Sequence, residues 1–496
     1  MTRRWALAAS LFVVYTALSV TNHLRMRTTG YDLGIFEQAI RGYAEGRAPV
    51  SELKSPGFHL LGDHFHPILT LLAPVYRLFP GPMTLLVAQA ALFAVSAVPV
   101  TRLAMSAVGP RRGLGLGVAY GLSWGVQQAV DFDFHEIAFA VPLLAFSLEA
   151  LATGRWRRAA LFALPLLLVK EDLGLTVAAI GVCLAFRGTQ VRDAWRAVRA
   201  VRSGWAAFRA GGGWQSLRAG GAWRAVRTDG PDGPSPALRQ RLLGGALAVT
   251  GLAGTLLTAL VLIPAFNPTG DYAYTATPGR PLAGLDAKGW LLFALLAPTL
   301  FLAVRSPLAL VAVPTVALRL WSGTPNHWST GFHYDAVLMP ILFVALVDAL
   351  SRLRPARAGR LAVVVCALGC AIAAFQPLAG LAHPATWRVP PKTAAIRAAL
   401  DRIPDGAVVA ADNRLAPQLT ARCQVFRHPE VPPGVRPDWI VTTDPDVRPP
   451  DGYRVERGAP GLTVLRRSPI PDPPHPPNVH SARSATTITQ GVTFQE

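Results

Sequence analysis

Apolar residues fall along this chain in blocks, with the polar residues gathered in the gaps. The blocks lie at 5–21, 84–104, 113–130, 138–153, 159–169, 173–186, 242–264, 289–304, 307–320, 336–350 and 361–378 and carry few charges. Crossing a bilayer as a helix takes about 20 apolar residues, so these blocks predict a polytopic α-helical membrane protein with about 11 transmembrane helices. The segments 159–169 and 173–186 are short for a hydrocarbon core of roughly 30 Å, which predicts tilted or partly re-entrant helices. The stretch PILTLLAPVYRLFP at 67–80 is shorter still and bounded by proline. It reads as a helix lying at the interface.

After residue 379 the period of the pattern changes. KTAAIRAALDRIP predicts a helix, GAVVAAD and DWIVTTD buried strands, and YRVERGAPGLTVLRR a hairpin. The chain therefore divides into a first transmembrane module (1–186) with a long first outer loop (22–83), an insertion at 187–241 and a second transmembrane module (242–378). A small α/β domain (379–467) follows, and then a Pro/Ser/Thr-rich tail (468–496) whose composition predicts disorder.

Charge adds an orientation. A net charge of +19 over 496 residues could point to nucleic acid, but the cations are segregated. With the N-terminus inside, the inner loops hold 24 Lys or Arg and three acids, and the outer loops hold eight and 13. That asymmetry follows the positive-inside rule. It places the N-terminus in and the α/β domain outside the cytoplasm of a bacterial plasma (inner) membrane, with no nucleic-acid partner. All 11 histidines then fall on the outer side. MTRRWALAASLFVVYTALSV has the basic start and apolar middle of a signal peptide without a small-x-small cleavage site, and reads as an uncleaved first helix. Cys183, Cys366, Cys370 and Cys423 form no CxxC pair beside histidines, which argues against a structural zinc site or a disulfide framework.

Inside the 187–241 insertion a short unit repeats, with Trp195, Trp205, Trp214 and Trp223 each followed four residues later by arginine. Short Trp/Arg pieces suit the headgroup layer of an anionic leaflet. A repeat expansion tolerated in a surface loop explains them equally.

Candidate chemistry gathers at the outer ends of the predicted spans. The groups are Asp32 with Glu37; Asp63 and His64, with His66 nearby; Asp133, His135 and Glu136 in DFDFHE; Lys170, Glu171 and Asp172; Asp271; and His327, His333, Tyr334 and Asp335. Ionisable groups beside apolar segments mark a functional site by default. Their common side predicts convergence on one cavity at the outer bilayer edge. Each group also has a plainer reading. Asp32 could cap the helix that follows it, Asp63 and His64 could build a turn, His66 could pack at the interface, and Lys170–Asp172 could pair internally to close their own turn. A lysine at that depth is equally a partner for phosphate. A divalent metal shared among these His, Asp and Glu residues is possible, although no ligand motif specifies one. Neither a Walker loop, GxGxxG nor HExxH occurs, which disfavours ATP-driven transport.

YDLGIFEQAI, GDHFHPILTLLAPVYRLFP, QAALFAVSAVPVTRLA, DFHE, LLLVKEDLGLTVAAIGVCLAFR and, in the α/β domain, IPDGAVVAADNRLAPQL together resemble a bacterial and archaeal family of predicted membrane proteins, domain of unknown function 2079 (DUF2079). This chain departs from the family pattern at His66 and in reading DFHEI rather than DFHPE, and the Trp/Arg insertion is particular to it. The family in turn looks like a distant relative of the GT-C superfamily, glycosyltransferases that use lipid-phosphate-linked sugars outside the membrane. That resemblance implies a polyprenyl-phosphate sugar donor arriving from the lipid and a catalytic acid in the first outer loop. Asp32 matches it by position, though the familiar adjacent acid pair is absent, and Asp63 is the alternative. Lys170, or Arg25 and Arg27, would meet the departing phosphate, and His64, His135 and His333 would orient the acceptor or hold a divalent ion. The competing expectations are a transporter or flippase for an envelope substrate, and a membrane scaffold without catalysis.

Overall fold

The computed structural model describes residues 2–186, 235–272 and 279–468. The Trp/Arg units and the tail after 468 lie outside the described residues.

Helices dominate. In chain order they are α1 (Thr2–Leu24), α2 (Ile35–Ala44), α3 (Ala73–Leu78), α4 (Pro82–Val108), α5 (Pro110–Gly121), α6 (Trp124–Phe132), α7 (Ala140–Ala152), α8 (Trp156–Ala163), α9 (Leu173–Phe186), α10 (Pro236–Phe266), α11 (Leu285–Leu296), α12 (Pro307–Trp321), α13 (Leu338–Ser351), α14 (Pro355–Ala373) and α15 (Pro391–Leu400). Among the described residues four of them, α1, α4, α10 and α14, are long and apolar enough to cross a membrane unaided. The other apolar blocks are broken. Block 113–130 divides at Ser123, whose backbone is extended between α5 and α6. The block at 289–304 breaks after α11, at a tight turn holding Pro298 and the left-handed residues Leu300 and Phe301. Proline removes a helical hydrogen bond and clashes with the preceding turn, so an apolar run sets how much of the chain is greasy but not whether it stays one helix.

Burial separates the helices into core and periphery. Every residue of α13 from Leu338 to Leu350 is buried, including its apolar residues on all sides, as expected of a helix enclosed by others. By contrast, α10 exposes Leu242, Val249, Leu252, Leu256, Leu260 and Val261, an apolar outer face suited to lipid. That helix lies along α9 through a seam of small residues, where Gly174 and Gly181 meet backbone of α10 with no room for a β-carbon.

The C-terminal domain is a five-stranded sheet, β1 (Val408–Ala411), β2 (Gln424–Arg427), β3 (Trp439–Thr442), β4 (Tyr453–Ala459) and β5 (Leu462–Arg467), in the order β2-β1-β3-β5-β4. The first three strands are mutually parallel and β5 runs antiparallel to β3 and β4. The helix, two strands and hairpin match the sequence pattern. The edge strand β2 is not among the strands that the pattern predicts.

Helix α2 joins the two parts. Its polar face lies on the α/β domain, with Gln38 Nε2 donating to the Val425 carbonyl at 3.0 Å and Arg41 Nη1 to the Thr420 carbonyl at 2.7 Å.

Candidate functional site

Five separate segments converge on one cavity of about 540 Å³. Of the residues singled out in the sequence, Asp32, Asp63, His64, His135, Lys170, Glu171, Asp172, His333 and Tyr334 all line it. Glu37, Asp133 and Glu136 do not.

Asp32 sits in a single π-turn, Gly30–Gly34, that leads into α2. The turn makes no side-chain cap, and neither does α2, so the capping alternative for Asp32 is not realised. The side chain is 25% exposed, and its Oδ1 lies 4.0 Å from His135 Nε2. Burial pushes the carboxyl above the ordinary aspartate value. His135, Lys170 and Lys54 pull it down without cancelling that effect.

Behind His135 the charges are stacked in depth. His135 Nδ1 is 2.6 Å from Glu136 Oε2, and Lys170 Nζ is 3.2 Å from Glu136 Oε1. Burial works against the Glu136 carboxylate, but His135 and Lys170 outweigh it and hold it well below the ordinary range. Glu136 is thus a buried anion beneath the cavity floor, fixing two groups that do reach the cavity. The His333 ring stacks on His135 with centroids 3.4 Å apart. Burial first, then the charges of His135 and Lys170, hold His333 well below the usual imidazole value, so it sits there neutral.

Elsewhere in the lining Asp63 pairs with Lys54 at 2.9 Å. Burial disfavours the Asp63 carboxylate, but His64 and Lys54 together keep it below the ordinary range. Burial thus raises the Asp32 carboxyl, whereas the cations beside Asp63 lower that one, so Asp32 is the more basic of the two. The 170–172 turn does not pair internally. Glu171 instead accepts from His64 Nδ1 at 2.7 Å, from the Phe65 amide at 3.1 Å and from Tyr272 Oη at 2.6 Å. Asp172 lines the cavity, and its buried Oδ1 has no hydrogen-bond partner among the described residues.

Glu37, Asp133 and Arg25 lie away from the cavity lining. Glu37 is fully buried in the seam below α2, where Tyr76 Oη donates to it at 3.0 Å and the Thr420 hydroxyl also donates. Burial raises its carboxyl to about 7. Asp133 lies just outside the cavity, and its Oδ2 accepts from the Thr29 amide at 2.9 Å and the Thr29 hydroxyl at 2.7 Å. Arg25 likewise turns away, donating to the carbonyls of Ala385 and Thr386.

Sequence reasoning missed Arg319, Lys54 and Tyr272 as lining residues. Arg319 lies near the end of α12 in an apolar run, and it forms a buried ion pair with Asp335. The signal was a lone cation at the outer end of a span, facing an acid across one loop. His66, read as an interfacial packing residue, lines the cavity and touches Phe36 edge-on. GLSWG at 121–125 has the spacing of a nucleophile elbow, but Ser123 joins two short helices rather than a strand and a helix, which is not the context that motif requires. Among the described residues no group of three or more His, Cys, Asp or Glu side chains is arranged to hold a metal ion. The donor set therefore does not fit the divalent ion allowed for above, and no step is routed through one.

The chain belongs to the DUF2079 family of predicted membrane proteins, whose family model matches residues 22–446. No curated protein matches the sequence. Among solved structures the fold is similar to that of ArnT from Cupriavidus metallidurans, crystallised with undecaprenyl phosphate. The TM-score is 0.50 at 13% identity, covering 94% of this chain and 98% of that one. At that identity the likeness concerns the fold alone.

Proposed function

We propose that this protein is a GT-C-like glycosyltransferase that moves a sugar from a polyprenyl-phosphate donor to an envelope acceptor at the outer face of the inner membrane. The observation that carries this reading is the single cavity in which nine separately predicted polar side chains meet around a carboxyl with base character. A fold similar to a protein captured with undecaprenyl phosphate supports the donor class.

In the reaction, Asp32 accepts the proton of an acceptor hydroxyl as its oxygen bonds to the anomeric carbon of the donor sugar. The bond from that carbon to the phosphate oxygen breaks, and the electron pair leaves with the polyprenyl phosphate. Lys170 and Arg319 offset the charge developing on that phosphate. The proton on Asp32 has an exit to His135, whose far nitrogen faces the Glu136 anion. His64 and Tyr334 contribute to acceptor orientation. The rest of the sequence reading belongs to the same proposal: about 11 spans in two transmembrane modules flanking the 187–241 insertion, the N-terminus inside, and the α/β domain outside the cytoplasm.

A flippase needs ionisable groups along a path through the bilayer. The buried acids at the far ends of α7 and α13 are instead held in ion pairs, Glu149 with Arg102 and Arg155, and Asp348 with Arg352. The test is Asp32→Asn in the native host at unchanged protein level. Loss of the glycan with the lipid-linked precursor on the outer leaflet is the expected outcome. Precursor trapped on the inner leaflet would make it a flippase, and an unaltered envelope would leave only a scaffold.

A further inference from the structure

In open sheets with parallel strands, ligands bind outside the carboxyl ends of the strands. In this α/β domain that edge is occupied by the protein's own chain. Asp412, just after β1, ties the three parallel strand ends together. It accepts from His428 after β2 at 3.1 Å, and from the Thr443 amide and hydroxyl after β3 at 2.6 and 2.8 Å. The next residue, Asn413, projects from this braced turn onto the π-turn that carries Asp32. Its carbonyl accepts from the Gly30 amide at 2.6 Å and its Oδ1 from the Tyr31 amide at 2.9 Å. Arg427, the last residue of β2, lies over the Tyr31 ring at 4.8 Å. The approach is close enough to require glycine at position 30, where a β-carbon would stand 2.7 Å from the Ala416 β-carbon. From the membrane side Asp133 holds the preceding Thr29 amide. Three consecutive amides before Asp32 are thus fixed, one by the helical bundle and two by the outer domain.

We propose that the outer α/β domain is a clamp that sets the position of the Asp32 turn, with Asn413 as its positioning residue. The functional meaning of the clamp rests on the reading of Asp32 as the base, but the clamp itself is testable without it. Two groups on opposite sides hold a short π-turn, at the place where a base must stay within hydrogen-bond reach of a substrate hydroxyl.

The experiment uses the full chain in lipid nanodiscs. Hydrogen–deuterium exchange is followed in peptides covering 28–36 and the sheet strands, alongside the pH profile of carbodiimide modification at Asp32. Asn413→Ala removes the acceptor for Tyr31, so exchange in 28–36 should quicken about five- to tenfold while β1 and β3 stay protected. As the turn gains water, the midpoint for Asp32 modification should fall by about half a pH unit or more. A general loss of stability does not move that midpoint, so it reports position. Asn413→Asp keeps the acceptor and should restore protection. Wild-type exchange and an unmoved midpoint in Asn413→Ala would overturn the clamp. If exchange instead rises throughout the sheet, Gly30→Ala decides, because it opens the contact from the other side with the domain's sequence intact. Loosening of 28–36 there supports the clamp, and wild-type behaviour sinks it. An Asp32→Asn variant that still transfers sugar, beside a positive exchange result, would remove the base reading and leave the clamp standing.

Discussion

Asp32, Glu37 and Asp133 look alike in the sequence: acids within a few residues of an aromatic, beside an apolar block. What separates them is where their oxygens find partners. Glu37 and Asp133 are spent on Tyr76, Thr420 and Thr29, whereas Asp32 faces the cavity with His135 4.0 Å away and the charges of Lys170 and Lys54 acting on it. No local residue pattern encodes that difference, because Tyr76, Thr420, Thr29 and His135 each lie 39 or more positions from the acid beside them. Asp32 must be ionised to act as a base, and burial holds its carboxyl up, so the transfer rate should rise with pH along a limb lying above the roughly 3.9 of a free aspartate. His135 is the largest influence pulling that carboxyl down. His135→Gln should therefore shift the acid limb to higher pH and lower the rate at neutral pH, which a pH–rate profile on the two proteins checks. An acid limb unmoved in His135→Gln would show that Asp32 does not supply it. The pair of Arg319 and Asp335 gives a second residue-scale test. Arg319→Ala strands a buried carboxylate and should cost about 3–5 kcal/mol, whereas Arg319→Met with Asp335→Leu should cost far less. Chemical unfolding of the single and double variants distinguishes the two outcomes.

At the level of elements, the apolar blocks foretold the amount of buried helix better than its continuity. The block at 113–130 became α5 and α6 because Gly121–Ser123 admits an extended residue, and the short segment before Lys170 tightened around Pro165. The apolar spacing of Phe36 and Ile40 suits a helix at α2, but nothing local says that its polar face will meet Thr420 and Val425. Glu37 in that seam makes a stability prediction. Its carboxyl is raised from 4.5 to about 7 in the fold. The native state therefore holds the proton more tightly than the unfolded chain. Its contribution is complete below about 4.5 and is lost as pH rises through about 7. Melting temperature should fall between pH 5.5 and 8.5 by the equivalent of roughly 2–3 kcal/mol, and Glu37→Gln, neutral throughout, should flatten that decline. An equal slope in the two proteins would place the titrating group elsewhere.

For the whole molecule, convergence was legible only as a shared side. The loops bearing acids and histidines alternate with loops bearing arginine, and alternation in a serpentine chain puts one class at each face. The polar lining of the cavity comes from the 31–66, 132–137, 170–173, 272 and 315–337 segments, which include the acid- and histidine-bearing loops. The arginine-bearing turns, such as Arg352 after α13 and Arg155 before α8, lie at the other helix ends. Moving the whole set across a bilayer would set those arginines against the positive-inside bias and would direct the cavity to the cytosol. Single cysteines at Asp286 and Asp405 should accordingly react with a membrane-impermeant maleimide in intact spheroplasts of a strain expressing an otherwise cysteine-free protein. One at Arg354 should react only after permeabilisation. The reverse pattern would place Asp32 among nucleotide-sugar pools rather than at the outer leaflet, and the donor would then have no reason to be lipid-linked.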